Sequence, residues 1–83
     1  MKIRLRYFAA LREALGQTEE ALEFPDGTTV AALRTTLATR YPVIAPILVR
    51  CVAARNRAFV AEETVLGAGD EVVFIPPMAG GKG

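Results

Sequence analysis

The sequence predicts a small α+β domain in two layers, a mixed sheet with helices packed on one of its faces. Three observations carry that expectation. Lys2–Phe8 alternates charged and apolar side chains as a half-buried strand does. Two segments, Phe8–Leu15 and Val30–Tyr41, change to the three-and-four spacing of a helix. Glu71–Ile75 is a run of β-branched and aromatic residues with strand preference.

Each element follows from its own residues. In the first strand Ile3, Leu5 and Tyr7 share one face, with Lys2, Arg4 and Arg6 on the other. Phe8, Leu11 and Leu15 then mark a helical stripe, and Gly16 stands where a left-handed cap belongs. Thr18–Phe24 alternates again, with Leu22 and Phe24 inward, and Pro25-Asp26-Gly27 closes it with turn chemistry. Thr28 or Thr29 can cap the main helix, whose inward stripe is Val30, Leu33, Leu37 and Tyr41 and which Pro42 ends. Pro42–Pro46 reads as a break, and Leu48–Ala54 as a central strand holding Cys51 as a small buried side chain. Asn56-Arg57 suits a tight turn, Ala58–Val60 a short strand, and Gly67–Asp70 a loop before the last strand. The expected core is Ile3, Leu5, Leu22, Val30, Leu33, Leu37, Val52, Val72 and Phe74.

Composition narrows the function. The chain has 83 residues, 52% of them hydrophobic and 23% charged, which fits one packed domain. A formal charge of +1 gives no field that would select nucleic acid or an anionic membrane, so a protein partner is expected. A lone cysteine and no histidine exclude an intramolecular disulfide, a Cys/His zinc cluster and a histidine-based triad. No apolar run reaches the length of a membrane span, and the N-terminus does not read as a signal peptide, so a cytoplasmic protein is expected.

The C-terminal residues Pro76-Pro77-Met78-Ala79-Gly80-Gly81-Lys82-Gly83 carry the sharpest signal. Two prolines stiffen the exit from the last strand and remove two backbone donors, while Gly80 and Gly81 lack a Cβ and can thread a narrow slot. Residues 1–77 are expected to form the domain and residues 78–83 a flexible arm. Ordering such an arm costs about 1–2 kcal/mol per residue, so the folded body must help to dock it. Phe74 and Met78, beside Pro76 and Pro77, are the candidate docking residues.

Phe8-Ala9-Ala10-Leu11-Arg12-Glu13, Thr29-Val30-Ala31-Ala32-Leu33-Arg34, Asn56 and the closing run from Gly69 to Gly81 together resemble the MoaD family, the small subunit of molybdopterin synthase. The similarity covers nearly the whole chain in order, and the Asp-Glu-Val, Pro-Pro and Gly-Gly pattern is its specific part. It implies a ubiquitin-like β-grasp fold with the first and last strands as parallel neighbours in mid-sheet, and an arm rooted at a corner of the sheet. It also implies a sulfur carrier that is not itself catalytic. Gly81 would bear the sulfur as a thiocarboxylate, Gly80 would thread the partner's channel, and Pro76 and Pro77 would guide entry. No bound cofactor is implied; ATP would be used by an E1-like adenylating partner, a sulfur donor protein would supply sulfur, and the catalytic residues would lie on the large subunit.

Two readings stay open at this point. Lys82 and Gly83 follow the glycine pair, so Gly81 is in an internal amide as written; removal of two residues, activation at Gly83, or an inactive relative would each account for that. The alternative functions are a sulfur carrier for a thiamine or cysteine pathway, a ubiquitin-like modifier, or a pure interaction module. Thiamine carriers are shorter and lack the Phe8–Glu13 helix. Arg12 and Glu13 read as a solvated helix face, and Arg4, Arg6, Arg50, Arg55 and Arg57 as guards against edge pairing rather than a basic docking face.

Overall fold

A mixed sheet of five strands, in the order β2-β1-β5-β3-β4, carries all the helices on one face. This computed structural model describes residues 1–77; Met78–Gly83, with the expected flexible arm, lie outside the described residues. The elements are β1 Lys2–Arg6, α1 Ala9–Leu15, β2 Glu19–Glu23, α2 Val30–Arg40, a 3-10 turn at Pro42–Ile44, α3 Ala45–Leu48, β3 Val52–Arg55, β4 Ala58–Val60 and β5 Glu71–Ile75. β1 pairs antiparallel with β2 and parallel with β5, and β3 pairs antiparallel with both β4 and β5. This is the β-grasp arrangement. Because β5 is the central strand, Pro76 and Pro77 leave from the middle of one rim, not from the corner that the sequence suggested.

The core lies between the layers. Ile3, Leu5, Tyr7, Ala53, Val72 and Phe74 from the sheet meet Leu11, Val30, Leu33, Leu37, Ile44 and Leu48 from the helices. The expected inward residues Ile3, Leu5, Val30, Leu33, Leu37, Val72 and Phe74 are all fully buried. Val52 is not: its register partner is Ile75, on the face away from the helices, and Ala53 takes the inward position. Leu22 is half-buried because β2 is an edge strand whose inner face is covered only in part. Phe8, expected on the stripe of α1, is the extended residue before the helix and points outward.

The expected strand at Leu48–Ala54 begins only at Val52. Upstream, Pro42 opens a 3-10 turn and Pro46 lies in the first turn of α3, where the missing N–H costs nothing because that donor has no helical acceptor. Ile44 and Leu48, four apart, bury together on this short coil. Cys51 is buried as expected, just ahead of β3 rather than within it, and its thiol donates to the Ile47 carbonyl at 3.3 Å. Burial pushes that thiol up, which favours the protonated form.

Three local networks fix the layers. The first amides of α2, which lack helical acceptors, all find partners: Val30 donates to Thr64, Ala31 to Glu62, and Ala32 to the Thr29 hydroxyl at 3.1 Å. The loop after β4 is thereby tied to the helix. At the other end of α2, the buried Tyr7 hydroxyl and the Tyr41 hydroxyl both donate to the Glu20 carboxylate, at 2.8 and 2.7 Å. Burial, then the carboxylate, holds the Tyr7 phenol up, so it stays a donor. Asn56 and Arg57, both at positive φ, make the two-residue turn between β3 and β4. Asn56 also clamps β5: its amide donates to the Glu71 carbonyl at 2.8 Å and its side-chain oxygen accepts from the Glu71 amide at 3.0 Å.

Arg34, which stands at the end of the Thr29–Arg34 run with no contact assigned to it from sequence, joins several elements. Its guanidinium pairs with both oxygens of Glu62, at 3.0 and 2.6 Å, donates to the carbonyls of Leu48 and Cys51, and stacks 5.0 Å from the Phe74 ring centre. Arg34→Ala is expected to cost about 2–4 kcal/mol, because two buried carbonyls lose their donor, and to lower the urea midpoint at unchanged slope. Arg34→Lys should recover less than half of that loss, since one ammonium cannot span the same acceptors. The hydrogen bonds from Arg34 hold the Glu62 carboxyl below its usual value. A depressed folded value means a contribution fully present above about pH 4.3 and lost as the pH falls through the folded value. The stability gap between wild type and Glu62→Gln should therefore close on acidification; a gap that stays constant through that range would contradict the pair.

Candidate functional site: the open face of the sheet

The face of the sheet away from the helices is uncovered, and alternation decides what stands on it. Outward positions are Arg4 and Arg6 on β1, Glu71, Val73 and Ile75 on β5, Val52 and Ala54 on β3, and Phe59 on β4. Five of these eight are apolar. Phe8, Ala54, Phe59, Val73 and Ile75 line a groove of about 240 Å³, edged by Arg6, Arg57 and Glu71. Phe59 is 73% exposed and Phe8 40% exposed. A strand buried on one side only should be polar on the other, so apolar residues on both sides of β5 mark a surface built to be covered.

Charge frames the groove. The Glu71 carboxylate lies between the guanidinium groups of Arg4 and Arg6, at 3.6 and 3.7 Å, and the Arg6 guanidinium sits 5.5 Å from the Phe8 ring centre. β1 is an interior strand, so Arg4 and Arg6 guard no edge; they belong to this face. Arg55 points elsewhere, donating to the Val65 carbonyl and lying 3.9 Å from Asp70. Arg50, Arg12 and Glu13 are exposed outside the groove.

The expected docking residue Phe74 is 1% exposed. It faces the helices under Arg34, and its strand neighbours Val73 and Ile75 take the outward positions instead. The correction follows from the two-residue period of a strand, because Val72 and Phe74 cannot share the core with Val73 and Ile75. Pro76 is half-buried and Pro77 exposed directly beyond Ile75, at the end of the groove. Met78, Gly80 and Gly81 lie outside the described residues. Sequence reasoning missed Phe8, Phe59, Val73 and Ile75; the available signal was five successive residues of β5 with four apolar, in a sheet whose helices can cover one face. Among the described residues no group of acidic or cysteine side chains could hold a metal, and no helix is long and apolar enough to cross a membrane.

Solved structures define the class. The chain superposes with TM-score 0.85 on a putative molybdopterin converting factor, subunit 1, from Pyrococcus furiosus, at 27% identity over 94% of this chain and 99% of that one. It superposes with TM-score 0.72, at 22% identity over 98% and 100%, on a chain of the protein–protein complex of subunits 1 and 2 of molybdopterin-converting factor from Helicobacter pylori 26695. The protein is thus a ubiquitin-like β-grasp domain. The model of the ThiS family matches residues 5–81, and the molybdopterin synthase sulfur carrier subunit of Mycobacterium tuberculosis is 42% identical over 98% of this chain and 99% of its own length. The chain belongs to the ThiS family, and within it to the MoaD group of molybdopterin synthase sulfur carrier subunits.

The two faces of β5 should respond differently to truncation. Phe74→Ala is expected to cost about 3–5 kcal/mol, whereas Phe59→Ala should stay within about 0.5 kcal/mol of wild type. Thermal melts of the two variants check this; a large loss at Phe59 would mean that the face is closed in the free protein.

Proposed function

We propose that this chain is the sulfur carrier and small subunit of a molybdopterin synthase, with Gly81 as the residue that bears sulfur. The observation that supports it most directly is the position of the open groove. Its floor residue Ile75 is followed at once by Pro76 and Pro77, in a chain whose family match continues to Gly81. The body has a surface to dock, and the reactive segment begins where that surface ends. The relative with 42% identity is named as a subunit of the synthase, and the Helicobacter pylori neighbour is half of a two-subunit complex, which supports a large subunit as the partner on this face.

The chemistry asks little of the carrier itself. A carboxylate is a poor electrophile, so an E1-like partner would join the Gly81 carboxylate to the α-phosphorus of ATP and release pyrophosphate. Sulfur at the sulfide level, from a donor protein, then attacks the acyl carbon; the bond to AMP breaks, AMP leaves, and a thiocarboxylate remains. Gly81 must end the chain for this step, because an internal amide has no carboxylate oxygen to adenylate. In the large subunit the thiocarboxylate sulfur would bond to a pyranopterin carbon and displace an oxygen substituent from it; water would then cleave the acyl–sulfur bond, which leaves the sulfur on the pterin and restores the carboxylate. The carrier supplies no acid or base: its contribution is an acyl end without side chains, held at a fixed distance from a docked body. A partner that draws on ATP fits the expected cytoplasmic location.

A chain ending at Gly81, incubated with the E1-like enzyme, ATP and a sulfur donor, is expected to gain the mass difference between sulfur and oxygen, while the 83-residue chain gains it poorly. Gly81→Ala in the shorter chain should dock with the large subunit as wild type does but load or transfer at least tenfold more slowly, because its methyl meets a channel fitted to glycine. Equal loading of the longer chain, with sulfur on Gly83, would move the reactive residue there; ATP-dependent attachment to lysines of other proteins would favour a modifier instead.

A further inference from the structure

An activated Gly81 acyl group reacts with whichever nucleophile reaches it first, and the described residues hold theirs away from it. Of the ten basic residues only Lys2 and Lys82 are lysines; the other eight are arginines. A lysine ammonium gives up its proton and attacks, whereas a guanidinium stays protonated and does not. Lys82 follows Gly81 and is absent from a chain that ends there. Histidine and serine are absent too, so the hydroxyl–imidazole pairing that makes a good acyl acceptor is missing. Lys2 stands at the wrong end of the sheet. Arg4 is level with Glu71 and Arg6 with Val73, which sets Lys2 about 20 Å below the level of Ile75. The Met1 ammonium, one residue further away, donates to the Phe24 carbonyl at 2.6 Å. Residues 76–81 span at most about 20 Å when drawn straight. They also start in the opposite direction, because Ile75 and Pro76 each precede a proline and are held extended, so a return to Lys2 would spend part of that length on reversing.

At the near end the nucleophile is a thiol. Cys51 immediately precedes Val52, the register partner of Ile75, yet it is 5% exposed and donates to the Ile47 carbonyl at 3.3 Å. The cations at this end include Arg6, whose partner Val73 is two residues before Ile75, and the exposed Arg50, two residues before Val52. Resting on the sulfur-carrier reading above, we propose that the body is inert toward its own activated end: its amines lie at the far rim, its thiol is enclosed, and arginine supplies the positive charge beside the exit, where lysine would capture the acyl carbon. In the reaction so withheld, the nitrogen lone pair of a lysine attacks the Gly81 acyl carbon, the bond to AMP breaks, AMP leaves, and the nitrogen's proton passes to water. The product is an internal amide, lighter than the free chain by one water and unable to accept sulfur. An amine joined to the acyl group through a short stretch of chain acts at an effective concentration in the millimolar range, so one lysine at the exit would divert the chain ahead of a sulfur donor present at micromolar concentration. Arginine there keeps the charge and removes that branch.

The test uses residues 1–81 carrying a C-terminal alkyl thioester, a stand-in for the activated end that needs no partner enzyme, held at low micromolar concentration and about pH 8. Attack by an amine expels the thiol and closes the amide, while attack by water returns the acid, so intact mass separates the two. Wild type and Glu23→Lys, whose new amine stands opposite Lys2 on the far rim, should hydrolyse. Arg50→Lys should close the amide about tenfold faster than either, or more, and peptide mapping should join Gly81 to residue 50. Thermal melts confirm that each variant is folded. Closure of wild type through Lys2 as fast as that of Arg50→Lys overturns the proposal, as does equal closure of Glu23→Lys or hydrolysis of Arg50→Lys without closure. Those failures leave the sulfur-carrier reading standing; a chain ending at Gly81 that the E1-like enzyme and ATP never adenylate removes that reading instead.

Discussion

The fold depends on the parallel pairing of β1 with β5, in which Arg4, Leu5 and Arg6 meet Glu71, Val72 and Val73. Nearly the whole chain separates the two strands, so the pairing forms only once everything between them has closed up, against the entropy of a long loop. Its consequences reach every other element. A parallel neighbour on one side and β3 on the other leave β5 with no free edge, so the strand that precedes the glycine pair is bonded along both sides. Asn56 reinforces its first residue from the β3–β4 turn, and the Gly69 amide bonds to Lys2, so the start of β5 is held from both neighbouring strands. A load on the C-terminal segment is carried by the centre of the domain.

The same strand separates stability from recognition by one residue. Val72 and Phe74 face the helices, and Phe74 lies against Arg34, whose guanidinium also gathers Glu62, Leu48 and Cys51. Val73 and Ile75 face the groove. Substitution on the inner side removes core contacts and a cation–π partner; substitution on the outer side removes only what a docked protein would touch. A small domain with limited core needs that division, because its outer face can then diverge between partners without loss of folding.

What the sequence revealed, and what it hid, divides along the range of the interactions. Alternation in Lys2–Tyr7, the stripe Val30-Leu33-Leu37, and the Asn-Arg turn at residues 56 and 57 are local, and the structure follows them. Val52 and Phe8 went astray because the face a residue takes at a strand end depends on partners far along the chain, Ile75 in one case and the groove in the other. The one-turn helix Ala45–Leu48 was hidden by two prolines that read as breakers but sit at helix starts, where they are tolerated. Arg34 could not be found by periodicity at all: its acceptors are backbone carbonyls near residue 50 and a carboxylate beyond β4. For the site, Gly80 and Gly81 lie outside the described residues, while Phe74 was expected on the surface and lies inward, one position off, since composition marks β5 as apolar without saying which side the helices cover.

The two-sided apolar character of β5 bears on how related carriers are told apart. An end made of Gly80 and Gly81 presents backbone alone, and backbone is the same in any carrier that uses such an end, so it can provide reach and reactivity but no identity. Discrimination between partners is a difference of binding free energies, and it has to come from side chains that differ. In this chain those side chains are on the outer face, in the apolar floor of Phe8, Phe59, Val73 and Ile75 and the arginines that edge it. A partner with an unmatched charge over the groove would be disfavoured there, because that charge loses its water without gaining a counter-ion. The pairing of β1 with β5 would link such a choice to the C-terminal segment, since Val73 and Ile75 of the groove stand on the strand that leads into Pro76.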